Sequence, residues 1–224
     1  MLIWQSVDTA RIAELLKPFL GPSASESGAK KPLLSQVQFE DILTYINLLL
    51  RWNARINLTA IRDPEHIVTR HFGESFFAAR HLFPATRPRR ERLIDIGSGA
   101  GFPGLPIKLW APELDVTLIE SNQKKATFLR EIIRALRLTD INVFAGRAED
   151  LQSQAEVATL RAVERFESAL PQAVRLLAPA GRLALLIAES QVATARVLSP
   201  QIQWSEPIPT PLSSHRVLLV SQAG

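Results

Sequence analysis

The chain has 224 residues, a formal net charge of +4 and no cysteine, and 46% of its residues are hydrophobic. This length and composition suit one sizeable core with an appendage. No apolar run approaches the roughly 18 residues of a membrane span, and charged residues interrupt the start of the chain, unlike in a signal peptide. We therefore expect a cytoplasmic protein with no membrane association. The lack of cysteine excludes disulfides and thiolate zinc sites, so we expect no metal site, and the basic excess is compatible with an anionic partner such as RNA.

The first part of the chain has helical periodicity. Apolar residues recur at helical spacing over residues 8–20 and again along a longer segment that ends near residue 50. Residues 21–28, rich in glycine, proline and serine, have the composition of a flexible linker. The sequence thus predicts an N-terminal helix and flexible linker over residues 1–35, followed by a helical N-terminal region over residues 36–90.

A further helix start is predicted at Asp63-Pro64-Glu65. This tripeptide supplies a capping acid, a proline at the first helical position and a second acid that faces the helix dipole. The apolar residues that follow at helical spacing predict a buried stripe, made of Ile67, Val68, Phe72, Phe76 and Ala79.

From Arg92 onward, short apolar strands alternate with helices. The predicted strands are residues 92–97, 115–120, 141–145, 156–160, 182–188 and 215–221. The predicted helices lie near residues 103–110, 122–137, 164–177 and 190–198. This alternation indicates an α/β domain over residues 91–224, with a Rossmann-like, mostly parallel sheet and helices on both of its faces.

A glycine-rich loop follows the first predicted strand. Gly99, Gly101 and Gly104 have the spacing of a dinucleotide site. Asp95 followed by Gly97, Gly99 and Gly101 has instead the Asp/Glu-x-Gly-x-Gly-x-Gly spacing of an S-adenosylmethionine site. Because a carboxylate repels a pyrophosphate and attracts a sulfonium or an ammonium group, Asp95 favours S-adenosylmethionine. A dinucleotide remains one alternative, and a simple glycine turn with Asp95 as a helix or turn cap remains another.

Three further strand ends border the same crevice in a doubly wound sheet. Glu120 ends the second strand, where its carboxylate can bind two ribose hydroxyls, and Ala148 and Glu149 follow the third strand, beside the expected adenine. Arg161 ends the fourth strand and is a candidate for positioning the substrate or the methionine carboxylate, since arginine suits bidentate recognition. Each charged residue also has an ordinary alternative. Glu120 would be an exposed acid, Glu149 one of the acids at a helix start, and Arg161 a surface arginine.

Several basic residues are candidates for contact with RNA phosphate. They are Arg87, Arg89, Arg90, Lys124 and Lys125. Lys124 and Lys125 open a predicted helix, where two positive charges oppose the helix dipole. Either the Glu120 carboxylate compensates these two charges locally, or contact with RNA phosphate compensates them. Solvated surface charge is the alternative for each of the five residues.

Several stretches together resemble one family, the bacterial 16S rRNA guanine-N7 methyltransferases (ribosomal RNA small subunit methyltransferase G, formerly glucose-inhibited division protein B). The resemblance covers about residues 38–220. The most specific stretches are Asn57-Leu58-Thr59-Ala60, then Phe102-Pro103-Gly104 after the glycine loop, and Arg147-Ala148-Glu149. Arg70-His71 and the strand that ends in Glu120 also match.

The resemblance implies a class I methyltransferase sheet whose last strand pairs antiparallel at an edge. It also implies S-adenosylmethionine as cofactor and 16S rRNA or the small ribosomal subunit as partner, and we expect a monomer. Guanine N7 would attack the sulfonium methyl directly and in line, with no obligatory general base. The cofactor contacts expected from the motif and the resemblance together are Asp95, Gly97, Ser98, Gly99, Gly101, Phe102, Glu120, Ala148, Glu149 and Arg161. Candidates for positioning the substrate are Asn57, His71 and Arg161.

The sequence departs from the family pattern at three places. Glu74 replaces the usual aspartate, Ile187 stands where a lysine commonly ends the fifth strand, and residues 212–216 replace a usual Asp-Gly-Glu-Arg-His. If that lysine holds RNA, its absence leaves another RNA base or a small molecule as an alternative substrate. A non-catalytic RNA-binding module on the same fold is a further alternative, which the intact glycine loop disfavours. Methylation of pyrimidine C5 is disfavoured because no cysteine is available to form the adduct.

Overall fold

The structure, a computed structural model, describes residues 7–21, 34–84, 90–161 and 166–221. Nearly all of the predicted flexible linker, and the RNA candidates Arg87 and Arg89, lie outside the described residues. Among the described helices, none combines the length and the apolar character needed to cross a membrane.

Among the described residues, four α-helices precede the sheet, and side-chain caps explain where the first three begin. Their bounds are α1 Thr9–Leu20, α2 Gln36–Asn53, α3 Pro64–Ile67 and α4 Glu74–Leu82. Asp8 caps α1, a reciprocal capping box of Ser35 and Gln38 opens α2, and Asp63 caps α3 by accepting from the His66 amide at 2.8 Å. The predicted helix start at Asp63 is therefore confirmed.

A π-helical turn over Val68–Gly73 joins α3 to α4, so the two form one bent unit that the sequence pattern did not predict. The predicted stripe on this unit is confirmed, because each of its five residues is fully buried. The stripe packs with α1 and α2 against one face of the sheet, in a core that also contains side chains from α5 and α6.

From residue 90 onward, the described residues form seven strands and four α-helices. The strands are β1 Arg92–Ile96, β2 Asp115–Ile119, β3 Ile141–Phe144, β4 Ala155–Arg161, β5 Leu177–Ala188, β6 Ile208–Pro209 and β7 Arg216–Val220. The helices are α5 Gly104–Trp110, α6 Gln123–Ala135, α7 Phe166–Arg175 and α8 Val192–Leu198. A second core, on the other face of the sheet, is formed with α7 and α8. The predicted α/β class with helices on both faces is confirmed.

The sheet has the strand order β3-β2-β1-β4-β5-β7-β6. Pairs from β3 through β5 are parallel, and β7 is antiparallel to both β5 and β6. The expected antiparallel β7 is confirmed, but its expected place at the edge is wrong because the short β6 pairs outside it. The chain moves from β1 to β2 and β3 in one direction and continues from β4 in the other. A crevice therefore opens between the carboxyl ends of β1 and β4, where ligands bind in sheets of this kind.

Candidate active site

The glycine loop follows β1 at the crevice, and its backbone requires glycine. Gly97, Gly99 and Gly101 have φ of 66°, 57° and 93°, which L-residues rarely adopt. A Cβ at Gly101 would lie 2.3 Å from the Tyr45 hydroxyl oxygen, so packing also excludes a side chain there. At Gly99 a Cβ would meet only the Gly97 carbonyl oxygen, at 3.8 Å, and otherwise open space. Gly99 thus borders a space that a ligand can fill.

Glu120 links this loop to the start of α6. One carboxylate oxygen accepts from the Gly99 amide at 2.9 Å, and the other accepts from the Asn122 amide at 2.7 Å. The carboxylate is buried, and both oxygens retain lone pairs for hydroxyl donors. Since Glu120 bonds to backbone amides and forms no ion pair with Lys124 or Lys125, it does not compensate those lysines by direct contact.

A cleft of about 160 Å³ lies beside the loop and Glu120. Its walls come from the ends of β1 and β2, the segment after β3, and α7, and they comprise Ile96, Gly97, Ile119, Glu120, Ser121, Gly146, Arg147, Ala148, Glu149, Ser168, Ala169 and Gln172. The structure thus brings together four of the predicted cofactor residues, which are separated by up to 52 residues in the chain. Sequence reasoning missed Ser168 and Gln172, whose four-residue spacing puts both on one face of a helix.

Asp95 lies beneath the loop rather than in the cleft. Its side chain is fully buried, with one oxygen accepting from the Thr159 hydroxyl at 2.8 Å and the other from the Gly104 amide at 3.2 Å. Burial raises the pKa of this carboxyl to about 6, although the hydrogen bonds oppose the shift. Ser98 is also buried, and its hydroxyl donates to the Asp95 carbonyl at 3.0 Å. The structure places the Asp95 carboxylate against the first amide of α5 and against Thr159, outside the cleft, so its predicted contact with the cofactor stays a prediction.

Phe102, the next predicted contact, forms the centre of an aromatic cluster. It stacks with Tyr45 at 5.4 Å and with His71 at 4.7 Å between ring centroids, and Phe72 meets it edge to face. The Tyr45 hydroxyl donates to the Ala100 carbonyl at 2.5 Å. Tyr45, the only tyrosine of the chain, fixes the loop from α2, a role that helical spacing alone did not reveal.

His71 is buried and held as a neutral imidazole. Its Nε2 lies 2.8 Å from the Thr59 hydroxyl oxygen, while Nδ1 has no hydrogen-bond partner among the described residues. Burial lowers the pKa of His71 well below its ordinary value, and the nearby Arg161, Arg70 and Arg216 lower it further. The imidazole therefore carries no charge at neutral pH.

The segment that contains Asn57 is organised by a different asparagine. The Asn53 side chain accepts from the Leu58 and Thr59 amides at 2.8 and 3.0 Å and donates to the Thr59 carbonyl at 2.9 Å. Asn57 itself is exposed. The structure therefore assigns Asn53 the structural role and leaves the Asn57 side chain accessible.

Arg161 is a member of a buried ion-pair cluster and not a surface residue. Its side chain is 10% exposed, and its Nη2 donates to the Arg70 carbonyl at 2.6 Å and to Glu74 at 3.0 Å. The Glu74 side chain, 2% exposed, also lies 3.3 Å from Arg216 Nε. Arg70 Nε lies 3.1 Å from its other oxygen, in an ion pair without hydrogen-bond geometry. One carboxylate therefore holds three guanidinium groups beside neutral His71.

The remaining RNA candidates are at opposite ends of the sheet. Arg90 precedes β1 at the amino-terminal edge and pairs with Asp140 at 3.1 Å. Lys124 and Lys125 open α6 at the carboxyl edge, beside the crevice, with Lys124 exposed and Lys125 half-buried. The structure does not bring these residues together as one patch.

The departure from the family at Ile187 is a change in the core. Ile187 is 2% exposed in β5 and pairs with Val217 of β7. It packs in the core on the side of α7 and α8. Ile187 therefore adds apolar packing to the core at the position where the family commonly has a lysine.

Comparison with known proteins agrees with this geometry. The family described as rRNA small subunit methyltransferase G matches residues 38–215. The ribosomal RNA small subunit methyltransferase G of Chloroflexus aggregans is 40% identical over 200 residues, covering 84% of this chain and 82% of that protein. The protein of the same name from Roseiflexus castenholzii is 41% identical over 201 residues, covering 84% of each.

Solved structures of lower sequence identity share the fold. Magnesium protoporphyrin IX methyltransferase from Synechocystis, solved with bound S-adenosylmethionine, superposes with a TM-score of 0.61 at 13% identity and covers 81% of this chain and 92% of its own. A ribosomal protein L11 methylase from Lactobacillus delbrueckii subsp. bulgaricus has a TM-score of 0.58 at 14% identity, with 74% and 90% covered. The predicted class I methyltransferase fold and the expected cofactor, S-adenosylmethionine, are confirmed. The chain belongs to the rRNA small subunit methyltransferase G family.

Proposed function

We propose that this methyltransferase transfers the methyl group of S-adenosylmethionine to N7 of a guanine in 16S rRNA. The observation that carries the proposal is the cleft beside the glycine loop, at the carboxyl ends of β1 and β2, where Gly97, Glu120, Ala148 and Glu149 meet in a chain of this family. Its curated relatives carry the name of small subunit rRNA methyltransferases. The enzyme acts in the cytoplasm, as a monomer.

The residues of the cleft suit the adenosine part of the cofactor. Glu120 presents oxygens with free lone pairs to a ribose, and the half-buried Ala148 lies where a flat base can pack. Open space at Gly99 leaves room for the ligand over bare backbone. When bound, S-adenosylmethionine supplies an electrophilic methyl group on a sulfonium.

The chain's own residues position the reactants and need not move a proton. Guanine N7 has a lone pair and no hydrogen, so no general base is required. His71, held neutral and bonded to Thr59, stacks on Phe102 and thereby fixes the wall of the crevice. Proximity and alignment of this kind can lower a barrier by roughly 7–11 kcal/mol.

The cluster around Glu74 supplies positive charge to the same side of the crevice. Three guanidinium groups share one carboxylate, so the cluster retains two uncompensated positive charges. Arg161 is held in place by Glu74 and by the Arg70 carbonyl. We assign this cluster to the anionic groups of the reactants, the methionine carboxylate and the substrate phosphate.

The proposal is tested with labelled S-adenosylmethionine and 16S rRNA, supplied as naked RNA and within small subunits that lack the modification. The expected result is one labelled guanine, whose methylation at N7 weakens the glycosidic bond so that depurination releases the labelled base. Label at another base would refute the N7 assignment. Label that enters only small metabolites would refute RNA as the substrate.

A further inference from the structure

A second cleft, which we call the basic cleft, lies between the end of α2 and α6, apart from the cofactor cleft. It has a volume of about 370 Å³ and is lined by Arg51, Trp52, Arg55, Ile56, Lys124 and Glu131. Three of these side chains are cationic and one is anionic, so the basic cleft has an excess of two positive charges. No residue that lines the cofactor cleft also lines the basic cleft, so the cofactor does not explain this excess of positive charge.

The three cations of the basic cleft lack side-chain partners in the part of the chain that the structure describes. Arg51, Arg55 and Lys124 are exposed, and none of them forms a side-chain ion pair or hydrogen bond with a described residue. Arg51 is favoured by the C-terminal end of α2, whereas Lys124 opposes the N-terminal end of α6. Glu120, which could have compensated Lys124, bonds instead to two backbone amides.

The wall between these cations is apolar and rigid. The Trp52 indole donates to Glu131 at 3.0 Å and meets Phe128 edge to face at 5.8 Å, so its ring is fixed between α2 and α6. Ile56 continues this wall and is half-buried. Fixed apolar surface edged by free cations suits a nucleic acid strand, whose bases or sugars contact the wall while its phosphates contact the cations.

Short segments of chain connect the basic cleft to the crevice on both of its sides. On the α6 side, Ser121 lines the cofactor cleft three residues before Lys124. On the α2 side, the chain runs from Ile56 to Thr59, which bonds to His71 beside Phe102. A strand with one base in the crevice can therefore extend directly into the basic cleft.

We propose that the basic cleft binds the single-stranded RNA that flanks the target nucleotide, with Arg51, Arg55 and Lys124 on its phosphates. The inference rests on the proposed function, which supplies RNA as the substrate. Single-stranded RNA is favoured over a duplex because proteins that modify a base act on unstacked, splayed nucleotides.

The test compares the wild type with the double variant Arg55→Ala/Lys124→Ala. Arg134→Ala is the matched control, since Arg134 is an exposed cation in the last turn of α6, about 15 Å along the helix from Lys124. Binding of unmodified 16S rRNA is measured from 0.05 to 0.5 M salt, with cofactor affinity measured by calorimetry.

Each phosphate contact with a single strand contributes about 0.7 to the salt slope. The double variant should therefore lower the slope by about 1.4, which corresponds to about 25-fold weaker binding at 0.1 M than the wild type if the two converge at 1 M salt. Cofactor affinity should be unchanged, and Arg134→Ala should bind RNA like the wild type. If the double variant binds RNA with the wild-type salt slope and affinity, the basic cleft does not bind RNA. The same conclusion follows if Arg134→Ala loses as much affinity for RNA as the double variant does.

Two further outcomes separate this inference from the proposed function. If the wild type methylates 16S rRNA but the double variant matches it, only the basic cleft is wrong. If the wild type methylates neither rRNA nor the small subunit, the proposed function itself is wrong. Competition by duplex RNA as strong as by single-stranded RNA would overturn the single-stranded specificity.

Discussion

Replacing Gly99 tests the cofactor site most directly, because its surroundings separate backbone strain from occupied space. Its φ of +57° costs an L-residue about 1–2 kcal/mol, a cost that Gly99→Ala and Gly99→Arg share. A Cβ there meets no atom closer than the Gly97 carbonyl oxygen at 3.8 Å, so Gly99→Ala should not clash with the fold and the arginine side chain begins in open space. For a chain of this size we expect both to lower Tm by about 2–8 °C without ligand.

The two variants should differ when the cofactor is added. In the wild type, S-adenosylmethionine at 100 times its Kd should stabilise the fold by about 2.7 kcal/mol. The arginine side chain of Gly99→Arg would enter the open space over the loop, so this stabilisation should vanish, whereas Gly99→Ala should retain part of it. Calorimetry checks the affinities, with NAD as the comparison ligand. Wild-type cofactor affinity in Gly99→Arg would refute the site.

Three more changes test the buried titratable groups. His71→Ala should keep activity within 100-fold, since loss of a general base typically costs 10²–10⁴-fold; a larger loss, or a lost pH limb in kcat/KM, would contradict the positioning role. Glu74→Gln should destabilise the fold by about 3–5 kcal/mol in urea unfolding, because three arginines lose their shared carboxylate, while Glu74→Asp should cost less. The folded-state pKa of Asp95 is raised to about 6, so its contribution to stability falls as pH rises from about 4 to 6. The stability of Asp95→Asn relative to wild type should then increase by up to about 3 kcal/mol over that range, and a pH-independent difference would contradict the buried carboxyl.

The parts of the fold that follow from local pattern could be predicted from the sequence. The Asp63 cap and the apolar stripe that follows it depend on residues within one or two turns, and both agree with the structure. The β6 strand could not be predicted, because two residues carry no periodicity. Its pairing with β7 depends on the path of the intervening chain, which local pattern does not contain.

The candidate site, too, could be predicted from the sequence only in part. The motif located Glu120 and Asp95 at the ends of neighbouring strands, but side-chain direction alternates along a strand and depends on which neighbour covers each face. Glu120, one residue past its strand, reaches the cleft, whereas Asp95 lies within β1, where the Thr159 hydroxyl of the neighbouring β4 donates to it. An exposed carboxylate at this position would attract a cation. Because the Asp95 carboxylate is buried, it bonds instead to the first amide of α5.

The Glu74 cluster shows what sequence spacing cannot provide. Glu74 and Arg161 are 87 residues apart, and Arg216 enters only through the antiparallel β7. Each residue alone has an ordinary surface explanation, yet together they bury one carboxylate under three guanidinium groups. Three guanidinium groups on one buried carboxylate repel one another, and an anion that shares the site would relieve this repulsion. We therefore expect an anionic group of the reactants to stabilise the cluster, so that its stability and its substrate affinity depend on the same carboxylate.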